Sequence, residues 1–188
     1  MSKLVVMMSL SLDGFMEGPD HDISWHMVDD ELHTYINDYL RTTGAFLQGR
    51  VTHELMVDFW PTADEDPSNP PPVREFAGIW RDKPKFVFSK TYDKTEWNTT
   101  VLRDVVPEQI EELKARFDSD IELGGATLAT TFMRLDLIDE YRLYIDPVVI
   151  GAGTRLFPPG YNVRLQLVET RAFGNGVVLL HYQRPSNG

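Results

Sequence analysis

Residues 45–60, AFLQGRVTHELMVDFW, decide the fold. Ala45 to Gln48 is a short run of strand character, and it passes through Gly49-Arg50 directly into Val51 to Trp60, where apolar residues recur at helical spacing. The same succession returns at Ile121 to Leu123, Gly124-Gly125, and a helix from Ala126 to about Leu137. A strand that turns at once into a helix is half of a parallel crossover unit, so two of them predict a sheet with helices laid over it.

The remaining layers lie on either side of these turns. Leu4 to Leu12 (LVVMMSLSL) opens as a continuous apolar stretch, the pattern of a strand covered on both faces, and Asp13-Gly14 breaks it. Leu32, Tyr35, Ile36, Tyr39 and Leu40 have helical spacing behind Asp29-Asp30-Glu31, an acidic start that complements a helix dipole. Pro61 to Pro72 is acidic, carries five prolines and reads as a surface loop, followed by a short helix at Val73 to Arg81. Lys85 to Ser89 and Thr100 to Leu102 read as strands, and Pro107 to Phe117 as a helix with proline in its first turn. Glu140 to Ile150, Arg164 to Phe173 and Val177 to Arg184 are strand-like, and Asn175-Gly176 marks a hairpin. The expected architecture is a single α/β domain over residues 1–188. Its three layers comprise a mixed, mostly parallel central sheet of about eight strands, helices on both faces, and a C-terminal antiparallel hairpin.

Composition excludes several classes of chemistry. At 188 residues and 42% hydrophobic, the chain supports one sizeable core. It has no cysteine, which removes disulfides, thiolate nucleophiles and cysteine-ligated metals. A formal net charge of −11 repels phosphate backbones and anionic lipid, so a small molecule rather than nucleic acid is the expected partner. No stretch approaches the roughly 20 apolar residues of a membrane span, so no membrane partner is expected and the location expected is cytoplasmic. His21, His26, His33, His53 and His181 show no metal-ligand spacing, so no metal site is expected; His26, His33 and His53 read as polar-face helix or loop residues.

Helix N-termini carry unpaired N–H groups and partial positive charge, which makes a glycine-bearing turn before a helix a natural phosphate seat. Gly49-Arg50-Val51-Thr52 offers a hydroxyl and a guanidinium there, and Gly124-Gly125-Ala126-Thr127 offers open backbone. Either turn alone reads first as an ordinary tight turn with a polar cap. Together, at the carboxyl ends of strands in one sheet, they face the edge where open α/β sheets place ligands. Gly151-Ala152-Gly153-Thr154 lacks the third glycine and the following helix of a dinucleotide fingerprint. It reads as a turn or bulge that lets backbone approach a neighbour, with a ligand contact as the alternative.

Taken in order, Ser11-Leu12-Asp13-Gly14, Gly49 to Glu54, Phe59-Trp60-Pro61, Lys83 to Thr91, Gly124-Gly125-Ala126 and Pro147 to Gly151 resemble one family. It is the dihydrofolate-reductase-like group that includes the C-terminal reductase domain of bacterial riboflavin biosynthesis, and the likeness runs from about Lys3 to Arg184. The resemblance implies a three-layer dihydrofolate-reductase-like fold and an NADPH-dependent reductase acting on a C=N or C=O bond of a small pterin-like, pyrimidine-like or carbonyl substrate. A non-catalytic ligand-binding member of the same fold is the alternative. The implied cofactor residues are Gly49, Arg50 and Thr52, Gly124, Gly125, Ala126, Thr127 and Leu128, and Ser89-Lys90, where the family has Ser-Arg against the adenosine 2′-phosphate. Lysine there keeps the charge and loses the bidentate fork. The implied catalytic residues are Asp13, in the loop over the nicotinamide, and Asp30, the nearest match to the pterin-binding carboxylate of the first helix. Phe15, Trp25 and Trp60 are the candidates to line the substrate pocket, and a homodimer is implied by analogy.

Overall fold

The computed structural model describes residues 2–94 and 96–185. In chain order the strands and helices are β1 (Leu4–Ser11), β2 (Phe15–Glu17), α1 (Asp30–Thr42), β3 (Ala45–Gly49), α2 (Arg50–Val57), α3 (Pro71–Asp82), β4 (Lys85–Phe88), β5 (Thr99–Leu102) and α4 (Pro107–Ala115). There follow β6 (Ile121–Gly124), α5 (Ala126–Arg134), β7 (Glu140–Asp146), β8 (Thr154–Arg155), β9 (Gln166–Ala172) and β10 (Val178–Gln183). Eight strands form one sheet in the order β5-β4-β3-β6-β1-β7-β10-β9, and β2 pairs with β8 in a separate small ladder. Neighbours from β5 to β7 are parallel, while β10 runs antiparallel to both β7 and β9. The expected mixed sheet and closing hairpin are therefore present.

Alternation along β1 separates two faces of the sheet. Leu4, Val6 and Leu10 join Leu47, Leu123, Ile110 of α4 and Phe132 of α5 on one side. On the other, Met7 packs with Leu40 of α1, Phe46, and Phe76 and Trp80 of α3. Side chains and prolines punctuate the helices. Asp29 caps α1 by accepting from the Leu32 N–H at 2.9 Å, and α3 and α4 both open on proline, whose missing N–H costs a first turn nothing.

Several boundaries differ from expectation for local reasons. Helix α2 ends at Val57, and Trp60–Thr62 form a separate 3-10 turn beginning at the Trp-Pro pair. The proline cluster expected to be loop instead starts α3 at Pro71. Strand β7 stops at Asp146 because Pro147 has no N–H for the ladder, and α5 stops at Arg134, with Asp136 at φ 61°. His53 is corrected more substantially. Read as a polar-face residue, it is fully buried, with Nδ1 3.2 Å from Gln48 Oε1 and its ring stacked on Trp80. Burial lowers its pKa to about 4. Helix α2 turns this histidine inward and leaves Val51 and Leu55 exposed at 57% and 68%, the reverse of an ordinary amphipathic helix.

One feature of the sheet positions the site. β6 pairs with β1 only at Leu4 to Val6, whereas β1 continues along β7 as far as Ser11. Beyond Val6 the two central strands part. Met7, Met8 and Ser9 consequently remain partly exposed in the middle of a central strand.

Candidate functional site

β3 and β6 are neighbours, and their register places Gln48 opposite Gly124. The two glycine turns thus stand side by side at the carboxyl edge. Gly49 is the N-cap of α2 and Gly125 the N-cap of α5, and neither helix start is capped by a side chain. The orphan N–H groups of both first turns are therefore available to a ligand. Their closeness depends on glycine. A Cβ on Gly125 would lie 2.5 Å from Thr52 Oγ1, and one on Gly49 would lie 3.9 Å from Leu128 Cβ.

A cleft of about 430 Å³ lies over these turns. Gly49, Arg50, Thr52 and Leu55 form one wall, Gly125 to Leu128 the other, and Glu17, His21 and Ile23 the far rim. Apart from Arg50 and the His21–Glu17 pair at 2.9 Å, the lining carries no charge. Arg50 donates to Glu54 Oε2 at 2.6 Å and also borders a second cavity of about 290 Å³ with Asp58, Tyr92, Asp93 and Lys94. Ser89 lies just beyond β4, where its Oγ accepts from the N–H groups of Thr91 at 3.2 Å and Tyr92 at 2.9 Å. Lys90 is exposed and pairs with Asp104 at 3.2 Å. Neither Ser89 nor Lys90 lines either cavity.

The residues expected to do chemistry do not converge on the cleft. Asp13 Oδ1 accepts from Ser11 Oγ at 2.7 Å and Ile150 N–H at 3.2 Å, and its Oδ2 accepts from Gly151 N–H at 2.8 Å. The Ser11 hydroxyl and these amides hold its pKa below the usual carboxylate value. Phe15 is buried in β2 under the Arg155 guanidinium, 4.3 Å from its ring centre, and Arg155 also donates to the Asp13 carbonyl. Asp30 is exposed in the first turn of α1. Trp25 donates to the Asp22 carbonyl at 3.1 Å and meets His26 edge-on, while Trp60 packs edge-on against Phe59 and Phe76 in the layer between α1 and α3. None of Asp13, Phe15, Trp25, Asp30 and Trp60 borders the cleft.

Glu122 is a candidate that no motif in the sequence marks. It lies in β6 between Val5 and Phe46, is 6% exposed, and has no side-chain hydrogen bond or ion pair among the described residues. Burial pushes its carboxyl from 4.5 up to about 8. A lone acid in the apolar run Ile-Glu-Leu was the available signal. The carboxyl is protonated in the fold and ionises in the unfolded chain, so its contribution to stability is complete below about pH 4.5 and is lost as pH rises through about 8. The loss is on the order of 5 kcal/mol. Glu122→Gln is expected to flatten the fall in urea-unfolding free energy across this window, and an unchanged slope would contradict the burial.

The family model for the RibD C-terminal domain matches residues 2–179. The chain belongs to the RibD C-terminal domain family. A relative within reach of direct sequence comparison is the uncharacterized protein YyaP of Bacillus subtilis (strain 168), 34% identical over 182 residues covering 96% of this chain and 94% of YyaP. Among solved structures, a protein named for riboflavin biosynthesis from Shewanella sp. PV-4 superposes with a TM-score of 0.76 at 19% identity, covering 97% of this chain and 99% of that one. Dihydrofolate reductase from Enterococcus faecalis, complexed with NADP(H), superposes with a TM-score of 0.65 at 14% identity, covering 98% and 97%. At such identities the structures speak to fold, and the RibD-type chain has the dihydrofolate-reductase-like fold. Among the described residues of this family member no helix is long and apolar enough to cross a membrane, and no three His, Asp or Glu side chains gather as a metal site would require.

Proposed function

We propose that this family member is a reductase that uses NADPH to reduce a C=N or C=O bond of a small heterocyclic or carbonyl substrate. The supporting observation is the pair of glycine-capped helix N-termini set side by side beneath one cleft. Their donor set suits a pyrophosphate, which needs several convergent N–H groups and no intervening side chain. Gly49, Arg50 and Thr52 would hold one phosphate and Gly125 to Leu128 the other. Gly124 and the Ser89-Lys90 turn would flank the dinucleotide, with Lys90 swinging from Asp104 toward the 2′-phosphate. When bound, the nicotinamide supplies hydride; the protein orients it and excludes water. The apolar wall of Ile23, Val51 and Leu55, all exposed now, would be covered by the bound molecule.

Asp13, engaged by three donors, serves in this reading to hold the loop after β1, and Asp30 to complement the α1 dipole. The homodimer expected from the family resemblance remains part of the proposal, with edge strand β9 and its exposed Leu167 and Val168 as a pairing surface. Arg50→Ala is expected to weaken NADPH binding about tenfold, the loss of one charge-assisted contact, as read by quenching of protein fluorescence. Oxidation of NADPH by dihydrofolate, by the ribosylamino-pyrimidine precursor of riboflavin or by simple carbonyls tests the activity. Binding without oxidation by any of them would favour the non-catalytic alternative, and absence of binding would end both readings.

A further inference from the structure

The sheet is split where β1 and β6 part, and one carboxyl lies at the floor of the split. Glu122 is the last β6 residue but one before Gly124, and a Cβ on Gly124 would stand 3.3 Å from Glu122 Oε1. Its side chain therefore runs along the strand toward the carboxyl edge, into the room that the glycine leaves. The cleft reaches Gly125, one residue beyond that room; Glu122 does not itself line the cleft, and Met7 and Ser9 of β1, on the carboxyl's own face, are partly exposed where β1 and β6 have parted. A flat ring entering between the strands from the cleft would meet this carboxyl end-on.

The groups that share its face neither neutralise nor occupy it. Phe46 and Gln48 of β3 and Val5 and Met7 of β1 are uncharged, and the Gln48 amide is turned to His53. From α1, Tyr39 faces it with a hydroxyl that has no partner. Arg142 of β7 lies over the Tyr39 ring at 4.2 Å and makes its polar contacts to His181 and Tyr35. Other carboxyls near this edge are engaged. Asp13 is held by three donors and Asp146 accepts from the Met27 N–H at 2.7 Å. An unpartnered carboxyl in such surroundings keeps its proton at neutral pH, which burial enforces here.

We propose that Glu122 is the proton donor of the reduction, an inference that rests on the reductase reading above. As hydride from the reduced nicotinamide adds to the carbon of the C=N or C=O bond, the electron pair of that bond moves to the nitrogen or oxygen. That atom takes the proton from the Glu122 carboxyl, and solvent entering through the split reprotonates the carboxylate. The net change is one hydride and one proton added to the substrate and one oxidised dinucleotide released. A substrate with an acceptor atom next to the carbon being reduced fits this placement, and one whose acceptor is already cationic does not.

The decisive experiment uses the full-length wild type with Glu122→Gln and Glu122→Asp. The carboxyl band of Glu122, isolated by infrared difference between wild type and the Gln variant, is expected to be that of a protonated acid at neutral pH and to vanish in mildly alkaline buffer. NADPH is expected to bind the Gln variant as it binds the wild type. Turnover of whichever of dihydrofolate, the ribosylamino-pyrimidine or a carbonyl the wild type reduces should fall about a hundredfold in the Gln variant and lose its alkaline limb. The Asp variant should recover part of it. An ionised carboxyl at neutral pH, or a Gln variant with wild-type turnover, overturns the proposal and leaves the reductase reading standing. A wild type that binds no reduced nicotinamide dinucleotide overturns both.

Discussion

Gly125→Ala is expected to weaken NADPH binding about a hundredfold or more, the largest single effect on the site. Gly125 has φ 95° and ψ 133°, a region that an L side chain enters only at a cost of about 1–3 kcal/mol. Its new methyl group would also sit 2.5 Å from Thr52 Oγ1, so the hydroxyl must rotate away or the two helix starts must separate. Either response dismantles the array of N–H groups, and every 1.4 kcal/mol lost is tenfold in affinity. Gly49→Ala is the matched comparison, because its φ of −76° suits any residue and its Cβ would make only an ordinary 3.9 Å contact. Titration of both variants with NADPH checks the argument. Equal affinities would mean that closeness of the two turns is irrelevant to binding.

The largest effect on stability is expected from Gly153→Ala. Gly153 has φ 136°, and its Cβ would fall 1.9 Å from the Glu17 carbonyl oxygen and 2.9 Å from Gly18 Cα. These are backbone atoms, so no rotamer change relieves the clash. The small ladder that pairs Phe15 with Arg155 and Glu17 with Thr154 has to open. A cost of about 3 kcal/mol is expected, which in a chain of this length lowers the melting temperature by roughly 6–12 °C. Glu17, His21 and Ile23 form the far rim of the cleft, so affinity for NADPH should fall with stability. Gly151→Ala separates strain from crowding. Its φ of 76° is equally left-handed but nothing lies within 4 Å, and it should cost only about 1–2 kcal/mol. A Gly153 variant that melts with the Gly151 variant would refute the close approach.

That close approach was legible in part. Gly151 to Thr154 read as a turn that brings backbone near a neighbour, but nothing local identified the neighbour as Glu17, because β2 and β8 are too short to carry a pattern. The glycine turns at 49 and 125 were legible in full as helix starts, since small residues at a strand-to-helix junction act through φ, ψ and N–H exposure within a few residues. Trp25 and Trp60 could not be assigned from the sequence, for the opposite reason. An aromatic serves a core and a ligand pocket with the same chemistry, and Trp60, partly buried, packs edge-on against Phe76 at the margin of the core. Glu122 and His53 escaped because burial is a property of neighbours, and their sequence signals were one acid among apolar residues and one histidine on a helix.

By itself the sequence determined the alternation of strands and helices, the acidic start of α1, the proline start of α4, the closing hairpin and the two glycine turns. All of these depend on interactions between residues a few positions apart. Only the tertiary structure decided that β6 inserts between β3 and β1, bringing Gly125 against Thr52 although the two are far apart in the chain. It also decided that β6 leaves β1 after Leu123 and so buries Glu122 beside an opening. Strand order and register are set by how whole faces pack, and that sum over distant contacts has no local trace in the chain.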